Sequence, residues 1–132
     1  MIRKLSESGI KVNVTALMTL DQVRDVVAHL SQDTPSCVSV FAGRIADTGR
    51  DPVPIMAAAS RLVSTKPRAE LIWASPRELL NVFHADQAGC HIITATTDIL
   101  KKLSLIGYGL EQYSLDTVKM FHNDARQAGY QL

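Results

Sequence analysis

Four apolar, β-branched runs alternate with four segments of helical periodicity, and this alternation narrows the folds open to the chain more than any other feature. The first run, residues 10–17, alternates Val12, Val14 and Ala16 on one face with Asn13 and Thr15 on the other. Thr19 and Gln22 then have capping-box spacing, and Leu20, Val23, Val26, Val27 and Leu30 recur at helical intervals. The second run, 37–41, leads into Gly43, Arg44 and a polar loop. A helix beginning near Pro54 follows, with Ile55, Ala58, Ala59 and Leu62 as its buried stripe. The third, 70–75, meets Ser75-Pro76-Arg77-Glu78, whose spacing predicts a helix start and a helix carrying Leu79, Leu80 and Phe83. The fourth, 90–96, leads to a short helix over 98–103. A helical stub over 2–8, ended by Gly9, precedes the first unit. A Gly107-Tyr108-Gly109 link follows the fourth and enters a last helix capped at Ser114, with Val118, Phe121, Ala125 and Ala128 turned inward.

Strand–helix units in strict alternation imply parallel strands joined by right-handed crossovers. Two arrangements meet that requirement: an open doubly wound sheet, flavodoxin-like, or four consecutive staves of a (βα)8 barrel. A doubly wound sheet carries helices on both faces, so its central strands are apolar on both sides. Here one face turns polar strand after strand: Asn13 and Thr15, Ser39, Ser75, and Thr94 or Thr96. A barrel interior rising to a site at the strands' carboxyl ends has that character. The expected fold is therefore α/β, four β-α units equal to half of a TIM barrel with a terminal helix, forming a single domain over 1–132. Trp73 is expected to fill the barrel interior. Arg44 and Arg77 follow the second and third runs, where parallel sheets open their ligand crevices. Ser75 caps its helix, whose N-terminus is expected to offer unpaired backbone donors. Asp47, Arg50 and Asp51 are expected to be solvated or paired with one another.

Composition bounds the remaining classes. The 132 residues are 46% hydrophobic, with 14 basic and 13 acidic side chains, a balance without the basic excess of a nucleic-acid binder. No apolar run approaches the ~20 residues of a membrane span. Residues 1–9 contain no apolar core of signal-peptide length, so a cytoplasmic location is expected. Cys37 and Cys90 read as reduced core residues on strands about 10 Å apart, too far for a disulfide. His29, His84, His91 and His122 lack ligand spacing, so neither a metal nor any other cofactor is expected.

The strand Val12-Asn13-Val14-Thr15, the run Val38-Ser39-Val40-Phe41-Ala42-Gly43-Arg44-Ile45 with Asp47, the turn Ala74-Ser75-Pro76-Arg77 and the tail Ser114-Leu115-Asp116-Thr117-Val118-Lys119-Met120-Phe121 resemble the transaldolase/fructose-6-phosphate aldolase family in order, from near Gly9 to Leu132. That family is a (βα)8 barrel that moves a dihydroxyacetone unit through a lysine Schiff base. The resemblance covers the last four strands and the terminal helices. It implies that Asn13, Thr15, Ser39, Phe41 and Ser75 line the substrate, and that Arg44 and Arg77 grip a sugar phosphate. Arginine suits that task because its planar, permanently charged fork matches phosphate oxygens.

By the same resemblance, the Schiff-base lysine and the acid/base carboxylates lie ahead of this chain's first residue. Lys4, Lys11, Lys66, Lys101, Lys102 and Lys119 match none of those positions, so no catalytic residue is expected and the chain alone is not expected to turn over substrate. Four staves also leave two open strand edges. Pairing with a second copy around a two-fold axis, or with a complementary half-barrel, would cover them. Two functions follow: a sugar-phosphate-binding enzyme half that needs a lysine-bearing partner, or a non-catalytic half-barrel that homodimerises.

Overall fold

The computed structural model describes residues 1–130; Gln131 and Leu132, where the resemblance ends, lie outside the described residues. The chain divides into two compact units, Met1–Leu100 and Lys101–Leu132. The element order is α1 (Ile2–Glu7), β1 (Val12–Leu17), α2 (Leu20–His29), β2 (Ser36–Val40), α3 (Ala42–Ala46), α4 (Val53–Val63), β3 (Ala69–Trp73), α5 (Leu80–Gln87), β4 (Ile92–Ile93), α6 (Thr97–Lys101), a 3-10 turn Lys102–Leu105 and α7 (Leu110–Gln127).

The four strands form one parallel sheet in the order β1-β2-β3-β4. A doubly wound sheet needs a point where the strand order reverses. This sheet has none, so right-handed crossovers all wind the same way and keep the helices on one face. That face holds the main core: Val38 and Val40 of β2 and Leu71 and Trp73 of β3 pack with Val23, Val26 and Val27 of α2 and Met56, Ala59 and Val63 of α4. The opposite face carries a smaller cluster of Cys37, Ile72 and Ala74 with Phe41 against it.

Local chemistry accounts for several elements as the sequence predicts them. Thr19 accepts the Gln22 N–H at 3.3 Å, and the Gln22 side chain accepts the Thr19 N–H at 3.1 Å, which completes the capping box of α2. The α1 stub, too short to persist alone, is tied down by buried Ser6, whose hydroxyl accepts the Ser31 N–H and whose carbonyl accepts the Thr34 hydroxyl. Gly9 follows it at φ +78°.

Elsewhere the structure corrects the reading. Ala16 adopts φ +65° and is exposed, and the register slips between Val14 and Leu17, so Leu17 takes the core position expected for Ala16. Trp73 pairs in register with Val40 and is fully buried under the helices, 6.3 Å from the His84 ring, rather than on the opposite face. The fully buried residues of α4 are Met56, Ala59 and Val63; of the predicted stripe Ala59 is among them, Ile55 and Leu62 pack half-buried against the core, and Ala58 is half-buried. In α5, Leu80 and Phe83 are exposed, and Ala85 and Ala88 beside it are buried instead. β4 spans two residues rather than seven.

In the second unit α7 starts at Leu110, with Gly109 as its N-cap, not at Ser114. Asp116 accepts the Tyr108 hydroxyl and the Gln112 amide, each at 2.8 Å, which anchors the entering chain to the second turn. No residue of α7 is buried, and Val118 (61%) and Phe121 (62%) are exposed rather than inward. No helix among the described residues is long and apolar enough to cross a membrane.

Candidate functional site

The face of the sheet opposite the main core brings Asn13 and Ser39 together. Asn13 pairs in register with Cys37, and Ser39, 3% exposed, donates its hydroxyl hydrogen to Asn13 Oδ1 at 2.7 Å. Because β1 begins at Val12, Asn13 lies in its amino-terminal part and not at the carboxyl end. Thr15, two residues along, is exposed and makes no side-chain hydrogen bond among the described residues. Phe41 packs half-buried on Cys37, Ile72 and Ala74, and its N–H donates to Leu17 O at 2.8 Å.

At the carboxyl ends of β2 and β3 two backbone segments meet without intervening side chains. Gly43 N–H donates to Ala74 O at 3.3 Å, and a Cβ built on Gly43 would stand 1.5 Å from Ser75 O and 3.4 Å from Arg77 Nε. Only glycine permits that approach. Ser75 turns the chain at φ +58°, and its N–H donates to Thr94 Oγ1 at 3.3 Å. The predicted helix start at Pro76 does not form. Instead α5 begins at Leu80, and Asn81 Oδ1 accepts the N–H groups of Arg77 (2.7 Å) and Glu78 (3.2 Å). Those donors, expected to be free for an anion, are occupied.

Arg77 reaches across the contact to Asp47, the residue following α3. Its Nε donates to Oδ1 at 2.9 Å and its Nη2 to Oδ2 at 2.5 Å, a fork-to-fork pair with each side chain nearly half exposed. The Arg77 hydrogen bonds, and secondarily the charges of Arg77 and Arg44, hold the Asp47 carboxyl below the usual carboxylate range; the same bonds raise Arg77. Arg44 is exposed on α3 and makes no hydrogen bond or ion pair among the described residues. Two guanidinium groups thus act on one carboxylate, leaving one positive charge in excess at this rim.

The loop beyond is exposed, as the first of the two expectations for it has it. Arg50 donates to Thr48 Oγ1 and Asp51 accepts the Val53 N–H at the start of α4, so neither pairs with Asp47. A cavity of about 550 Å³ nearby, lined mainly by Met18, Leu20, Ile45 and Ile55 with Thr48 and Arg50, includes neither Arg44 nor Arg77. His91 accepts the Leu71 N–H through Nδ1 at 3.0 Å, a structural use of its ring. Among the lysines of the first unit, Lys11 precedes β1, Lys4 lies in α1, and Lys66 donates to Leu30 O at 2.7 Å ahead of β3. Sequence reasoning missed Asp47 as the partner of Arg77.

Comparison with known proteins identifies the family. The family described as Transaldolase/Fructose-6-phosphate aldolase matches residues 1–132. A probable transaldolase of Clostridium acetobutylicum is 31% identical over 125 residues, covering 92% of this chain and 56% of that protein. One from Shouchella clausii is 30% identical over 119 residues (87% and 53%), and one from Methanococcus vannielii is 32% identical over 116 (85% and 52%). The chain spans about half the length of the curated relatives it matches. It belongs to the transaldolase/fructose-6-phosphate aldolase family.

Proposed function

We propose that this chain is the sugar-phosphate-binding half of a transaldolase-type barrel. Arg44 and Arg77 hold the phosphate, and Asn13, Thr15, Ser39, Phe41 and Ser75 line the space beside it. The observation that carries this reading is the meeting of the Gly43–Arg44 and Ser75–Arg77 segments at the carboxyl ends of neighbouring parallel strands. That is the end of such a sheet at which ligands bind. The bond-making amine, which condenses with the ketose carbonyl and releases water, belongs to the other half of the barrel. In the first unit Lys4, Lys11 and Lys66 precede or flank the amino ends of strands, away from the arginines in sequence and register. The half-barrel itself needs no metal or other cofactor.

The test is a calorimetric titration with fructose 6-phosphate. Arg44→Ala and Arg77→Ala are each expected to weaken binding by about 1.5–3 kcal/mol, the worth of charge-assisted hydrogen bonds. Wild-type affinity in both variants would contradict the reading.

A second reading, a homodimeric half-barrel without turnover, is favoured by the two sheet edges: among the described residues β1 pairs only with β2, and β4 only with β3. Unpaired parallel edges are templates for another chain. Sedimentation is expected to report twice the 14.5 kDa chain mass, and a monomer at every concentration would overturn it.

A further inference from the structure

We propose that Asp47 is the positioning residue of the anion site: it grips the Arg77 guanidinium by one edge and leaves the other edge oriented toward the phosphate. This rests on the reading of Arg44 and Arg77 as a phosphate clamp. A guanidinium carries five N–H donors in a rigid fork. Asp47 uses the Nε–H and one hydrogen of Nη2, so three N–H groups on the Nη1/Nη2 side remain for a second, bidentate acceptor.

Both ends of the grip are fixed. Asp47 directly follows α3, whose Gly43 lies flush on the Ser75 carbonyl, and the Arg77 backbone is held by Asn81. With its side chain nearly half exposed, Arg77 without Asp47 would sample many rotamers, and binding would have to freeze them. The carboxylate is ionised at neutral pH, as an aspartate with the ordinary pKa near 3.8 is, and the Arg77 hydrogen bonds, with the Arg77 and Arg44 charges adding to them, lower that pKa further. Asp47 also offsets the repulsion of two guanidinium groups converging on one anion.

The alternative is that Asp47 occupies the phosphate position and must be displaced. The two readings predict opposite signs. Removing a negative charge beside an anion site strengthens binding unless that charge is needed to hold the site together.

The experiment titrates inorganic phosphate into wild type, Asp47→Asn, Asp47→Ala, Arg77→Ala and the Asp47→Asn/Arg77→Ala double variant at fixed ionic strength, with circular dichroism confirming the fold. Asp47→Asn and Asp47→Ala are expected to weaken binding about fivefold or more, the scale of coupling between contacting residues. In the Arg77→Ala background Asp47→Asn should no longer weaken it, because Asp47 acts through Arg77. Unchanged or tighter binding by Asp47→Asn overturns the proposal, as does a weakening that persists in the double variant. If Arg77→Ala weakens binding and Asp47→Asn does not, only the positioning role falls. If wild type binds no phosphate, the clamp itself falls and the positioning role with it. Should Asp47→Ala unfold, Asp47→Asn, which keeps the shape and one acceptor, carries the sign.

Discussion

At Gly43 a hydrogen atom stands where any other residue would drive a Cβ to 1.5 Å from a backbone oxygen, and that contact joins the segment bearing Arg44 to the one bearing Arg77. Gly43→Ala is therefore expected to cost about 3 kcal/mol or more in urea unfolding, since neither backbone can yield without moving a strand. Asp47 gives a pH signature. Its folded pKa lies below the unfolded value near 3.8, so its contribution to stability is complete above that value and is lost as pH falls through the folded one. Acid unfolding should show the stability gap between wild type and Asp47→Asn closing as pH drops below about 4. Neither residue was legible for what it does. Gly43 reads as the glycine ending a strand, and the partner of Asp47 lies thirty positions away, beyond any local pattern. Arg44 and Arg77 were legible as strand-end cations because the parallel alternation itself says where such ends lead.

Among the elements, those governed by neighbouring residues were readable and those governed by distant packing were not. The capping box of α2 is a local device, and Thr19→Ala should lower stability by about 1 kcal/mol in thermal melts, with little change if Gln22 alone carried the cap. Ser75-Pro76-Arg77-Glu78 has the same kind of signal and yields no helix there. Ser75 is held at positive φ between the Thr94 hydroxyl and the Gly43 backbone, and Asn81 takes over the donors. Trp73 was assigned to the wrong face for a related reason. Its parity follows Val40 and Leu71, whereas Ser75, beyond the end of β3, turns independently of the pleat and is no guide to it. The extra residue at Ala16 moved the core position to Leu17 in the same way.

For the whole molecule, the alternating pattern was enough to expect a parallel sheet, and the polar face was enough to prefer successive staves over a doubly wound sheet. The unreversed strand order is consistent with that preference, and the half-barrel itself is part of our proposal. Family membership is shown; that the strand-end arginines bind a sugar phosphate while the reactive amine lies in the other half of the barrel is our proposal. Borohydride reduction in the presence of fructose 6-phosphate, followed by mass spectrometry, tests this most directly when applied to the chain alone and to the chain mixed with the lysine-bearing half of a relative. The predicted result is a sugar-phosphate adduct on the added half only, and an adduct on any lysine of this chain would contradict it.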